Sequence, residues 1–200
     1  LGDVYKRQEA ISMPFQLKLE LVSFEDDVDF GQLLDKPVLF TIWRGERPLR
    51  YVHGLVSTFS QGETGLHRTR YRALVEPVLA RAGLRSNWRI FQQKTVPQIL
   101  EIMLKRQGIT GYELRSIDKH EVREFCVQAG ETDLDFIARL AAEEGFVYRF
   151  EHTPKLHKLL ITDRLLGLGQ ISQGAIKGDD EDEVFFDDDT DPNQVLYHAN

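Results

Sequence analysis

From Gln128 to Phe150 every local signal in the chain points the same way, toward strand, capped helix, sharp stop and strand. Thr132 stands where a helix cap is needed, with Asp135 at the third helical position. Leu134, Ile137, Leu140 and Ala141 recur at helical spacing, so one face of the segment is apolar. Gly145 supplies a residue that tolerates the left-handed conformation ending such a helix. Phe146, Tyr148 and Phe150 then alternate with polar neighbours as a half-buried strand does. A segment this consistent is a packing unit, and the remaining chain must provide the surface it packs on.

Two kinds of surface are legible. In the first half, Phe15, Leu17, Leu19 and Leu21 alternate with Gln16, Lys18 and Glu20 and run toward an acidic turn at 25–29. Segments 37–43, 50–59 and 66–76 follow as strands separated by Gly- and Pro-bearing turns, with Gly54 marking a bulge or a close backbone approach. Strands with short connections and no intervening helix predict an antiparallel β-barrel-like domain or sandwich over 13–80. Beyond Pro77 the pattern changes. Trp88 to Gln92 reads as a short strand, Thr95 to Gln98 as a capping box with Pro97 in the first turn, and Val96, Ile99, Leu100, Met103 and Leu104 as the apolar face of a helix ending at Gly108. With strands at 122–128, 146–151 and 157–163, residues 81–166 form a two-helix α+β region. The overall class is therefore mixed β and α+β.

At 200 residues, 42% of them apolar, the chain can bury a core of its own. No apolar run approaches the roughly 20 residues that cross a bilayer, and no charged head precedes an apolar segment as in a secretory signal. Residues 1–12 carry no apolar period, precede Met13, and are read as expression or read-through sequence outside the fold. The net charge of -7 is unevenly spread, because Asp179 to Glu183 and Asp187 to Asp191 hold nine acids and no base. Without them 23 acids face 25 bases of interspersed sign, which argues against a nucleic-acid surface. The acidic tract lacks the turn glycine and closing Glu of a calcium loop and is expected to be a solvated loop within 167–200.

Chemistry is sparse. Cys126 shares a strand face with Val122, Glu124 and Gln128 and reads as an inert thiol. His53, His67, His120, His152, His157 and His198 show no metal-ligand spacing. No nucleophile elbow, phosphate-binding loop or dinucleotide glycine pattern occurs, so no catalytic residue, cofactor or metal is assigned. Glu143 and Glu144, with Asp133 and Asp135 a turn or two earlier, are the carboxylates worth weighing as acid and base. Asp133 and Asp135 suit a helix start, and Arg139 lies four residues from both Asp135 and Glu143, so a surface ion-pair ladder explains these charges without a substrate.

Four blocks, 50–59, 71–77, 88–100 and 128–150, stand in the order and spacing of one family. Arg50, Gly54, Tyr71 and Pro77 lie in the first two; Arg89, Phe91 and Gln92 in the third; Glu131, Phe136, Arg139, Leu140, Glu143, Glu144, Gly145, Tyr148 and Phe150 in the fourth. Together they resemble the amino-terminal, phage-baseplate-hub-like part of the type VI secretion spike (valine-glycine repeat, VgrG) family over roughly 15–163. Ala141, Ala142 and Phe146 replace the family's more usual residues, and Val78 to Ala80 occupy a segment where it often has tryptophan.

The resemblance implies a homotrimeric hub on a tube of hexameric rings, carrying effector proteins into a neighbouring cell. It implies partners in the tube, the baseplate and the effectors, no cofactor, and no nucleic acid. It also implies assembly in the cytoplasm followed by export along the type VI route without a signal peptide, and further domains after the point where this chain stops. Two alternatives stay open: a phage tail baseplate hub protein, and, from another class, a glycan or cell-wall hydrolase using Asp133 and Glu143.

Overall fold

The computed structural model describes residues 4–168. The first region is a single curled sheet. Strands β1 (Val4–Gln8), β2 (Gln16–Ser23), β3 (Pro37–Arg44), β4 (Arg47–Thr64) and β5 (Thr69–Glu76) are arranged in the order β1-β2-β5-β4-β3, all neighbours antiparallel. Alternation decides its faces: Leu17 and Leu19 on β2, Phe40 on β3, Val52 and Val56 on β4, and Tyr71, Ala73 and Val75 on β5 point inward. Gly54 shows the close approach expected of it, since a Cβ there would lie 2.5 Å from Val75 Cγ1 and 2.9 Å from the Glu76 carbonyl oxygen. Register shifts on β4 between Val56 and Thr58 and between Gln61 and Thr64 curl the sheet into a half-barrel.

The lead segment differs from expectation, because β1 lies within it and extends the sheet by one edge strand. Tyr5 packs on Phe40 with ring centroids 5.4 Å apart, and the Ser12 amide donates to the Tyr148 carbonyl at 2.8 Å. Five residues on a sheet edge draw mainly on backbone pairing, which leaves too short an apolar alternation to be read.

A 3-10 stretch, Val78–Leu84, links the two regions and buries Leu79 and Ala82. The anticipated boundary at 80–81 falls inside it. Then follow β6 (Ser86–Lys94), α1 (Val96–Arg106), β7 (Tyr112–Arg115), β8 (Arg123–Thr132), α2 (Asp133–Glu143), β9 (Val147–His152) and β10 (His157–Thr162). Strands β6 and β8 form an antiparallel ribbon, while β7-β10-β9 form a second small sheet. The β9 and β10 pair is antiparallel, and β7 runs parallel to β10.

Both helices begin as their sequences dictate. The Gln98 side chain accepts from the Thr95 amide at 3.0 Å, and the Thr132 hydroxyl accepts from the Asp135 amide at 3.0 Å. Gly108 and Gly145 take φ of +70° and +75° just beyond the two helix ends, the conformation glycine adopts without strain. The buried face of α2 meets β6 through Phe136 and Phe91, whose rings stack at 5.7 Å. One apolar core runs from Phe15 and Leu17 through Leu79 to Leu104, Phe136 and Phe150. The acidic tract 179–191 and His198 lie outside the described residues.

Candidate functional site

The polar groups of interest fall into three clusters, two of them on and around α2. The first is buried. Asp133, fully shielded from solvent, accepts from Arg89 Nη1 at 2.5 Å, Gln107 Nε2 at 2.7 Å, Gln128 Nε2 at 2.8 Å and Asn87 Nδ2 at 3.0 Å. Arg89 Nη1 also donates to Gln128 Oε1 at 2.8 Å. Burial alone would raise the Asp133 carboxyl, but these donors outweigh it and hold it below the ordinary carboxylate range. This cluster joins β6, β8 and the facing ends of α1 and α2. Its depth was not apparent in the sequence, where Asp133 reads as a helix-start acid on the surface.

The second cluster is the exposed ladder, with one partner changed. Arg139 bonds Glu131 at 2.6 Å and Glu143 at 2.9 Å. It does not pair with Asp135, whose carboxylate accepts from the Thr132 hydroxyl at 2.6 Å. Arg123 Nη1 and Nη2 reach Glu143 and Glu144, each at 2.7 Å. Glu143 is held low by Arg123 first and Arg139 second.

Asp133 and Glu143 therefore occupy opposite ends of α2, roughly 15 Å apart along the axis at 1.5 Å per residue. Glycosidase carboxylates work within about 5–10 Å of one another, and one of them needs a raised pKa. Here both are ion-paired and depressed, so the pair has neither the spacing nor the acidity of an acid and base. Cys126 is buried, and burial raises its thiol pKa, consistent with an inert group.

The third cluster is one the sequence did not reveal. His53 on β4, His152 at the end of β9 and His157 at the start of β10 come together with ring centroids 5.9 to 6.4 Å apart. They sit between the half-barrel and the small sheet, beside a crevice of about 360 Å³ bordered by Leu79, Ile109, Lys155 and Leu156. Among the described residues no group of three or more His, Cys, Asp or Glu has the geometry to hold a metal ion.

The remaining signature residues are structural in their placement. The Tyr71 hydroxyl donates to the Glu25 carbonyl at 2.9 Å, tying the acidic turn to the sheet. Pro77 adopts an extended conformation before the 3-10 stretch, and Tyr148 and Phe150 meet edge to face at 6.2 Å. Gln92 faces solvent on β6, and Arg50 lies on β4 opposite Ile42.

With this geometry in view, comparisons with known proteins agree. A family model described as phage tail baseplate hub (GPD) matches residues 8–183. The type VI secretion system spike protein VgrG2a of Pseudomonas aeruginosa is 48% identical over 172 residues, 86% of this chain and 20% of that protein. The actin cross-linking toxin VgrG1 of Vibrio cholerae is 40% identical over 159 residues, 80% of this chain and 14% of that protein. Among solved structures, the E. coli c3393 protein, described as a type VI secretion component similar to the T4 tail proteins gp27 and gp5, superposes with a TM-score of 0.74. The identity is 24%, and the match covers 83% of this chain and 48% of that one. The chain thus spans a fifth or less of the length of VgrG2a and VgrG1.

Proposed function

The chain belongs to the phage tail baseplate hub (GPD) family, and we propose that it is the amino-terminal hub region of a type VI secretion spike protein. The observation that carries this reading is the 48% identity to a type VI spike protein, sustained over 172 residues. In this role the protein is a homotrimer seated on a tube of hexameric rings, contacting baseplate and effector proteins, and leaving the cell with them. The task is mechanical. It asks for stiff, interlocked elements, which the buried Arg89–Asp133 cluster and the Arg123–Glu143–Arg139 ladder supply, and it asks for no acid and base. No helix among the described residues is long and apolar enough to cross a membrane.

Light scattering of the full-length protein tests the assembly, with a trimer expected and a monodisperse monomer refuting it. Immunoblotting of culture medium tests the route: the protein is expected outside wild-type cells and absent from the medium of cells lacking the contractile sheath. A second reading, a phage tail hub, is favoured by the description of the family model that matches residues 8–183. Release that depends on cell lysis rather than on the sheath would favour it.

A further inference from the structure

Two of the three histidines at the junction of the two regions, His53 and His152, are bonded in a way that fixes their proton positions. The His53 amide donates to His152 Nδ1 at 3.1 Å, so that nitrogen must carry a lone pair, and the single proton of a neutral His152 must sit on Nε2. The Thr153 carbonyl lies 2.7 Å from His53 Nε2, and since a carbonyl only accepts, that nitrogen also bears its proton. His152 Nε2 is buried with no partner. With Nδ1 accepting the His53 amide and Nε2 protonated, His152 has no lone pair free for a metal, so the three rings cannot ligate one together in this arrangement.

Their surroundings contain almost no negative charge. Arg7 on β1, Arg50 and His53 on β4 and His157 on β10 all act on His152 with like charge, and Lys155 lines the adjoining crevice. Among the described residues no acid acts on His152; Glu9 pairs with Arg7 and Glu151 with Arg149. The Phe15 ring meets the His152 ring edge on at 5.1 Å. Burial first, and the positive charge of Arg7 next, push His152 down to about 3, and burial likewise lowers His157.

We propose that His152, bound to the His53 amide and packed beside His157, forms an acid-operated lock that holds the half-barrel against the β9–β10 sheet while His152 and His157 are neutral and releases it when they gain protons. A proton arriving at His152 Nδ1 turns the acceptor of the His53 amide into a donor. That bond is lost, and a cation appears among cations. The folded state takes up this proton later than the unfolded or opened chain, so the closed junction loses stability as pH falls below about 6.5. The loss grows by about tenfold in the closing equilibrium per pH unit for each histidine kept neutral, until its folded-state value is reached. The lock depends only on this junction, and it stands or falls independently of the secretion reading.

The test follows ring and amide signals by NMR in the 200-residue chain from pH 7.5 to 4. His152 is expected to remain the Nε2–H tautomer well below pH 6. The protection factor of the His53 amide and those of the β9–β10 turn should fall before those of α1 and α2. A His152→Gln variant, whose side chain can still accept the His53 amide, should lose about tenfold per pH unit less stability on acidification in urea titrations. Titration of His152 near or above 6.5 would overturn the proposal, as would uniform loss of protection over the chain. If the variant does not fold, the wild-type ring titration decides alone.

Discussion

Arg89 Nη1 donates to Asp133 Oδ1 at 2.5 Å across the interior of the two-helix region, with the Arg side chain 17% and the Asp side chain 1% exposed. Pairs at this depth contribute little net stability when intact, because desolvation offsets attraction, yet removing one member leaves an uncompensated charge. Asp133→Ala is therefore expected to destabilise by about 3–5 kcal/mol. The double change Arg89→Met with Asp133→Leu should cost distinctly less than that single change. Urea unfolding of the variants measures both. Since the folded Asp133 value lies below its unfolded one, its stabilisation is present above the unfolded value and lost as pH falls through the folded one.

Gly54→Ala places a methyl against Val75 Cγ1 and the Glu76 carbonyl, backbone that cannot move without disturbing the β4–β5 ladder. A loss of about 1–3 kcal/mol is expected from such overpacking. Gly45→Ala is the informative control, because nothing lies within 4 Å there and only the φ of +59° opposes the change. Thermal melts of the two variants separate contact from backbone strain.

His120 makes the opposite prediction to the junction histidines. Its ring is 7% exposed, stacks on Phe146 at 4.8 Å, and bonds Glu144 through Nδ1 at 2.8 Å and Asp163 through Nε2 at 3.2 Å. Burial opposes its charge, but the bonds to Glu144 and Asp163 prevail and raise its pKa. A raised value means stability fully present below about 6.5 and lost as pH rises through the folded value. The chain is thus expected to be most stable near neutrality, with His152 limiting it on the acid side and His120 on the alkaline side. In His120→Gln the fall in stability as pH rises above about 6.5 should flatten, as followed by the urea midpoint.

What the sequence made legible was local. Thr132, the 3.6-residue period of α2, Gly145 and the Phe146–Phe150 alternation each sit within a few residues of the feature they determine, and each appears where read. The Gly54 approach was equally legible, because a glycine inside a β-branched and aromatic run weakens the strand unless a bulge or a close backbone contact requires it. What could not be read was non-local. His53 and His152 are separated by 99 positions, and only the packing of β4 on β9 brings them together. Asp133 carries the same helix-start chemistry whether exposed or buried, and its burial is decided by Asn87, Arg89, Gln107 and Gln128 arriving from three other elements. The β1 strand was missed for a third reason, because an edge pairing leaves little pattern in five residues.

The β6–β8 ribbon turns one face to the core and the other to solvent, and the outer face is apolar. Trp88, Ile90, Phe125 and Val127 on it are 79%, 65%, 57% and 45% exposed, with Ile90 directly opposite Val127. The Trp88 ring lies over Gly130, where a Cβ would come within 3.1 Å of it. Because these side chains contribute little to the folded interior, Ile90→Lys and Phe125→Lys are expected to shift stability by no more than about 0.5 kcal/mol. They should nevertheless reduce binding of a hydrophobic dye and raise the solubility limit, as an apolar patch broken by charge does. A loss of several kcal/mol on either change would mean that the face is covered within the chain, and the urea midpoint of each variant, set beside its dye titration, distinguishes the two cases.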